Sequence, residues 1–431
     1  MTVRKVGVTG FEPATSCSQS RRATKLRYTP PPPPTNTCPG GFDQCSVAGA
    51  QALAVMDEQG WRSRVGQTPA TQGPASARIC GFEQPDREAV PADPEPVHGS
   101  VSLTVPLLGG MAMTTTTVAA VQAAYILMDQ RACLDKAIAL LQQAAAAGAG
   151  IVVFPEAFIP GTPIWIDSRP IWDGDADWYA MLVAQSVVVP GPVTEALGAA
   201  ARAAGAYVVI GVQEREEHGA TIYNTTLYIG PDGALLGKHR KLMPTGSERT
   251  VWGMGDGSTL PVIDTPHGRL SGLTCWENFM PLARYYLYSQ GVDIWAAPTL
   301  APSDGWIVAM RHIALEGRCY VIGVNPCLQV DQIPADFPHR DRLWPNQDQN
   351  DGWVEPGNSV IIDPTGKIMA GPARHEETIL YAEVDLSAVH SARRLFDPVG
   401  HYNRPDVFQL RVDTRPRPPV VLAGSIAATE D

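Results

Sequence analysis

Gly148-Ala149-Gly150-Ile151-Val152-Val153-Phe154-Pro155-Glu156 joins the end of one element to the whole of the next. Before it, Leu134, Ala137, Ile138, Leu141 and Ala145 recur at helical spacing, with Asp135, Lys136 and Gln142 off that face. The glycines stop that helix. Ile151 to Phe154 is then a run without a polar residue, the pattern of a strand covered on both faces, and it ends on a carboxylate. The same alternation continues outward. Val118–Ala124 reads as a strand, the alanine-rich Glu195–Ala204 as a helix, and Tyr207–Val212 as a strand. Thr225–Ile229 and Ala234–Lys238 flank the hairpin turn Pro231-Asp232-Gly233. Leu270–Thr274 reads as a strand that ends on Cys275, followed by a helix over Pro281–Ser289. Asp293–Ala297, a helix over Asp304–Gly317 and Tyr320–Val324 follow. Ser359–Ile362 and Lys367–Ala370 bracket Asp363-Pro364-Thr365-Gly366, and Ile379–Val384 is the last strand. Strands alternating with helices, with hairpins between, give an α/β fold with mixed sheets.

The chain has 431 residues, beyond the usual span of one domain of about 100–200. Residues 1–112 differ from the rest: they contain the unbroken run Pro30–Pro34 and no sustained period, so they read as a Pro-rich, disordered or non-native extension. Gly10–Pro30 resembles a peptide that arises when structural-RNA genes are conceptually translated, which would set the natural start at Met111 or Met113. Residues 113–410 read as the folded domain and 411–431 as a C-terminal tail. A net charge of -11 argues against nucleic acid and anionic membrane surfaces as partners. The basic stretch Arg21–Arg27 is too short to reverse that and reads as a solvated tail. No apolar run reaches the roughly 18 residues of a membrane span, and Met1–Tyr28 lacks the apolar core of a signal peptide. The eight cysteines form no CxxC pair, so reduced thiols in a cytoplasmic protein are expected rather than a disulfide framework or zinc site.

Three polar residues stand at the mouths of strand-like segments: Glu156, Lys241 and Cys275. A cysteine closing an apolar strand is most often a packing residue. Here Trp276-Glu277-Asn278 and a helix follow at once, an arrangement expected to favour thiolate through the helix dipole. Glu156 would serve loop amides in a bland reading, but beside a thiol it is placed to accept a proton. Lys241 ends the run Lys238-His239-Arg240-Lys241, which on composition alone is a solvated face. Leu242-Met243-Pro244 turns the chain inward after it, and a buried lysine requires a partner such as Glu156. Glu248 has a surface pair with Arg249 as its ordinary role, worth well under about 1 kcal/mol. The histidines form no HxH or HExxH array, which disfavours metal hydrolysis, and Gly253–Gly257 lacks the ending and context of a phosphate loop.

Together these residues resemble the nitrilase superfamily of carbon–nitrogen hydrolases, in its true nitrilase branch. Val153–Gly161 is similar to the family's glutamate motif, His239–Leu242 with Pro244-Thr245 to its lysine motif, and Gly272–Asn278 to its nucleophile motif. Glu248 stands seven residues after the lysine, where the family has a second glutamate. The likeness continues through Met310–Arg318 and Asp397–Asp406, and covers about residues 115–410. Two departures are Gly246, where many nitrilases have histidine, and Met254, in place of an acidic residue.

The resemblance implies a four-layer αββα sandwich of two mixed sheets, and a homodimer or larger spiral homo-oligomer. It implies hydrolysis of a small-molecule nitrile to a carboxylic acid and ammonia with no cofactor or metal, Cys275, Glu156, Lys241 and Glu248 being catalytic. Trp276 after the cysteine favours nitriles over the amides of the amidase branches. Trp165, Trp276 and the Pro298–Asp304 loop are the expected walls of the substrate site. The rival readings are an amidase-type hydrolase with the same triad, a nitrilase that releases much amide, a catalytically silent scaffold, and RNA binding through the N-terminal basic run.

Overall fold

The computed structural model describes residues 115–167, 171–172, 174–343, 351–418 and 420. The extension read over residues 1–112, its basic run and its alternative starts lie outside the described residues, as do residue 419 and residues 421–431 of the tail.

The chain runs from β1 (Thr115–Gln122) through α1 (Gln130–Ala146) to β2 (Ala149–Val153). Helix α2 (Ala176–Gln185) and the short β3 (Val187–Val188) precede α3 (Pro192–Ala204), and β4 (Tyr207–Arg215), β5 (Ile222–Ile229) and β6 (Leu235–Arg240) follow. The second half holds β7 (Ile263–Thr265), β8 (Gly268–Gly272), α4 (Pro281–Ser289), β9 (Ile294–Pro298), α5 (Asp304–Gly317) and β10 (Tyr320–Val324). Strand β11 (Cys327–Gln329), helix α6 (Arg340–Leu343), β12 (Trp353–Ile362), β13 (Ile368–Arg374), β14 (Thr378–Asp385) and α7 (Leu386–Leu395) complete it.

Local chemistry sets the element ends. The Asp129 side chain accepts the Ala132 amide at 2.9 Å and caps α1, which therefore starts a turn earlier than the apolar spacing from Leu134 indicates. Pro192 opens α3, and Gly205 closes it in the left-handed conformation.

The strands form two seven-stranded sheets. The first has the order β14-β1-β2-β4-β5-β6, with β3 also on β4; the second has β11-β12-β10-β9-β8-β7, with β13 also on β12. Helical crossovers make β1–β2–β4 and β8–β9–β10 parallel. Hairpins make β4–β5–β6 and β12–β13 antiparallel, so both sheets are mixed.

Alternation along each strand divides the core into three layers of side chains. Val118, Ala120, Ile151, Val153 and Val209 of the first sheet pack with Ile294, Ala296, Ile322, Val324 and Ile361 of the second. The opposite face of the first sheet, with Val152, Phe154 and Ile210, packs with Ala137 and Leu141 of α1 and Leu197 of α3. The opposite face of the second, with Trp295, Val321 and Ile362, packs with Leu287 of α4 and Met310 and Ile313 of α5. Three interfaces between four layers make the αββα sandwich, and the unbroken apolar runs are needed because each central strand is covered twice. Among the described residues no helix is long and apolar enough to cross a membrane.

Candidate active site

The end of β2 carries Glu156, whose side chain is wholly buried. Its loop is fastened to β4: the Gly211 amide donates to the Pro155 carbonyl at 3.1 Å, the Ile159 amide to the Gly211 carbonyl at 3.3 Å, and the Gln213 amide to the Ile159 carbonyl at 2.8 Å. Gly211 permits this approach, since a Cβ there would lie 2.3 Å from the Ala157 nitrogen and 2.5 Å from the Pro155 oxygen. Backbone on both sides leaves little room to yield. Gly211→Ala is expected to displace Glu156, destabilise the fold by about 1–3 kcal/mol and slow turnover about 100-fold. Chemical denaturation and steady-state kinetics measure both; a variant with normal kcat would contradict the positioning role.

The basic run does not form a solvated face. Alternation along β6 sends Lys238 and Arg240 to one carboxylate, Glu214, at 2.6 and 2.7 Å. His239 and Lys241 go the other way. The Lys241 ammonium, fully buried, is 2.8 Å from Glu156 Oε1 and 2.7 Å from Glu248 Oε2. Burial opposes its charge, but Glu156, Cys275 and Glu248 raise its pKa above the ordinary lysine value. Glu248 is thus a partner of Lys241 rather than of Arg249, whose Nε donates to the Pro244 carbonyl. Burial, then the charge of Glu156, pushes the Glu248 carboxyl up, against the pull of Lys241.

Asn224 of β5 donates to Glu156 Oε1 at 2.6 Å, so that oxygen has two donors. Glu156 Oε2 is buried with no hydrogen-bond partner among the described residues.

Cys275 lies three residues beyond β8 and opens a five-residue 3-10 turn, Cys275–Phe279. Its φ of 53° is a left-handed conformation that a side chain bearing a Cβ adopts at a cost, the kind of local strain that collects at functional sites. Asn278 Nδ2 donates to the Leu273 and Cys275 carbonyls, both at 2.8 Å, and Asn278 Oδ1 accepts from Trp295 Nε1 at 2.8 Å. The thiol differs from the expectation of a dipole-stabilised thiolate. Burial, reinforced by the charge of Glu156, pushes it up to about 12, with Lys241 opposing. A single 3-10 turn carries too little dipole to offset burial between carboxylates. This setting favours the protonated sulfur over the thiolate.

Glu277 ties the nucleophile turn to the other sheet. It accepts from the Thr274 amide at 3.0 Å, the Leu242 amide at 2.5 Å and His239 Nε2 at 2.8 Å. His239 Nδ1 faces the Thr259 carbonyl at 2.6 Å. An acceptor at each nitrogen favours the imidazolium form. Burial works against that charge, yet Glu277 raises His239 above its ordinary 6.5, and the pair lowers Glu277 below 4.5 against burial. A raised histidine contributes stability in full below pH 6.5 and loses it as pH rises through the folded value. The lowered Glu277 contributes fully above 4.5 and loses its share as pH falls through its own folded value. The thermal midpoint is thus expected to fall on the alkaline side of this window, and His239→Gln to flatten that limb. Parallel pH–melting curves for the two proteins would contradict the link.

Cys275 opens into a cavity of about 360 Å³, the size of a small-molecule site. Its lining includes Gly246 and Glu248, Thr162, Ile164 and Asp167, and Trp276, Leu300 and Glu355. Trp276 is half-exposed there, edge-on to Phe279. Trp165 does not line the cavity: it is fully buried against Trp178, and its neighbours Ile164 and Ile166 meet the open space. Leu300 is the part of the 298–304 loop that reaches it. Gly255 donates to the Lys241 carbonyl at 2.8 Å, so the glycine loop supports Lys241. Sequence reasoning missed Asn224, the His239–Glu277 pair and Glu355. A polar residue within the buried strand β5 was the available sign of Asn224; nothing in the sequence marked Glu355.

The carbon–nitrogen hydrolase family model matches residues 117–394. An aliphatic nitrilase of Sinorhizobium fredii is 46% identical over 72% of this chain and 99% of its own length. Nitrilase 2 of Arabidopsis thaliana is 41% identical over 77% of this chain and 98% of its own. A bifunctional nitrilase/nitrile hydratase of Lupinus angustifolius is 42% identical over 74% and 91%. Among solved structures, a carbon–nitrogen hydrolase of Helicobacter pylori shares the fold with a TM-score of 0.53 at 21% identity, over 68% of this chain and 97% of that one. The chain belongs to the carbon–nitrogen hydrolase family, in its nitrilase branch.

Proposed function

We propose that this protein hydrolyses an organic nitrile to the carboxylic acid and ammonia through a covalent bond to Cys275. The observation that carries the reading is the divided use of one carboxylate. Glu156 Oε1 is engaged by Lys241 and Asn224, while Oε2 has no partner among the described residues, and burial with the charge of Glu156 pushes the Cys275 thiol up. Glu156 takes the thiol proton, the sulfur adds to the nitrile carbon, and the proton is delivered to nitrogen, giving a thioimidate. Lys241 stabilises the charge developing on nitrogen. A water activated by Glu156, with Glu248, then adds to the thioimidate carbon; ammonia departs and leaves a thioester. A second water releases the acid and restores the thiol.

Similarity to proteins named nitrilases supports a nitrile over an amide as substrate. Ammonia release by the full chain from benzonitrile, phenylacetonitrile, an aliphatic dinitrile and the matching amides tests it. Nitriles are expected to react and amides not; turnover of amides alone would transfer the protein to the amidase reading. The similarity to a bifunctional nitrilase/nitrile hydratase favours a second outcome at the same site, release of some amide when the tetrahedral intermediate expels sulfur before ammonia.

The family match begins at residue 117, which supports a catalytic unit starting near Met113; a chain from Met113 with unchanged kcat would agree. The four described cysteines are free and buried, which suits a reducing, cytoplasmic setting. Exposed Leu282, Tyr402, Val407 and Phe408 support self-association through this apolar surface.

A further inference from the structure

We propose that Glu355, with Asp167 beside it in the catalytic cavity, selects substrates bearing an ammonium or another hydrogen-bond donor and rejects those bearing a carboxylate. Glu355 lies on β12, where its backbone pairs with Leu328 of β11 and its side chain lines the same cavity as Cys275. No hydrogen bond to its carboxyl group is made among the described residues. Glu355 is partly exposed, so its carboxyl is open to whatever occupies that space. A carboxyl without a protein partner on a cavity wall is free to accept from an occupant that carries a donor.

The sign of that occupant follows from the charges around it. Glu248, Asp167 and Glu355 line the cavity, and the Lys241 ammonium behind Glu248 is already held by Glu156 and Glu248. An ammonium or amide N–H is therefore attracted and a carboxylate repelled. The titratable groups acting on Glu355 are Glu156 and Asp167, with the Tyr125 hydroxyl and the Cys327 thiol also close enough to feel its charge. Burial, then Glu156 and Asp167, pushes Glu355 up to about 8. The preference for cations accordingly strengthens as pH rises through about 8.

The inference uses the nitrile reading only for the bond that is cleaved, so its test does not depend on turnover. Cys275 in the full chain is treated with ammonium-bearing and sulfonate-bearing ethyl methanethiosulfonates, and modification of its peptide is followed by mass spectrometry. The cation-to-anion rate ratio is expected to fall about tenfold in Glu355→Gln, as for charges several ångströms apart in a partly wet cavity, and to recover in Glu355→Asp. Asp167→Asn, a second variant should Glu355→Gln fold poorly, lowers the ratio in the same direction. The wild-type ratio rises through about pH 8 and that of Glu355→Gln stays flat. Ratios unchanged by Glu355→Gln and by Asp167→Asn overturn the proposal. In the same series, kcat/KM for nitriles of one chain length is expected to rank an ω-ammonium above an alkyl end above an ω-carboxylate. Absence of ammonia from every nitrile would remove the nitrile reading and leave the labelling result to decide Glu355 by itself.

Discussion

Cys275→Ala is expected to lower ammonia release by about 10⁴-fold or more while keeping the thermal midpoint within a few degrees of the parent. The sulfur sits on a cavity wall, so its removal leaves the three packed layers intact and exposes no new polar group. The turn is held through backbone and neighbouring side chains, by Asn278 on the Cys275 carbonyl and Glu277 on the Thr274 amide, and both contacts survive the substitution. Cys275→Ser is expected to be nearly as inactive, since a hydroxyl in this buried setting is a far weaker nucleophile. Substantial ammonia release from Cys275→Ala, measured with correctly folded protein, would remove the covalent mechanism.

Glu156→Gln carries the second large effect. Loss of the general base is expected to reduce kcat by about 10²–10⁴-fold. Lys241 keeps Glu248 at 2.7 Å, so the stability loss is limited to about 1–3 kcal/mol, below that of leaving a buried ammonium with no partner. The charge of Glu156 also raises the Cys275 pKa, so the thiol should become more acidic in this variant while turnover collapses. That combination separates proton transfer from simple thiolate population: alkylation rates against pH report the first change and ammonia release the second. A variant with near-normal kcat would take Glu156 out of the base role.

Much of this was readable where local pattern and tertiary role coincide. Ile151–Phe154 is continuously apolar because it is covered on both faces, and Pro281–Ser289, Asp304–Gly317 and Tyr320–Val324 match α4, α5 and β10. Helix α2 left a weaker trace, since Trp178 and Leu182 are its buried residues and much of its remaining surface is apolar as well. Strands β3, β7 and β11, with two or three residues each, are too short to show a period. At the site, Glu156, Lys241 and Cys275 stand at segment ends and could be recognised there. Their surroundings could not, because each contact joins distant parts of the chain: Asn224 to Glu156, His239 to Glu277, Glu355 to the cavity. The expectation of a dipole-favoured thiolate took no account of burial between Glu156 and Glu248, which belongs to the assembled site and not to the sequence around Cys275.

The most direct test of the covalent route is rapid acid quenching of the full chain during turnover of a reactive nitrile, with mass analysis of the peptide that contains Cys275. The mechanism predicts that this peptide gains the mass of the whole nitrile, as the thioimidate, or of its acyl group, as the thioester, and that the adduct disappears as substrate is exhausted. Continued ammonia production with Cys275 unmodified at every quench time, or with the adduct on another residue, would contradict it.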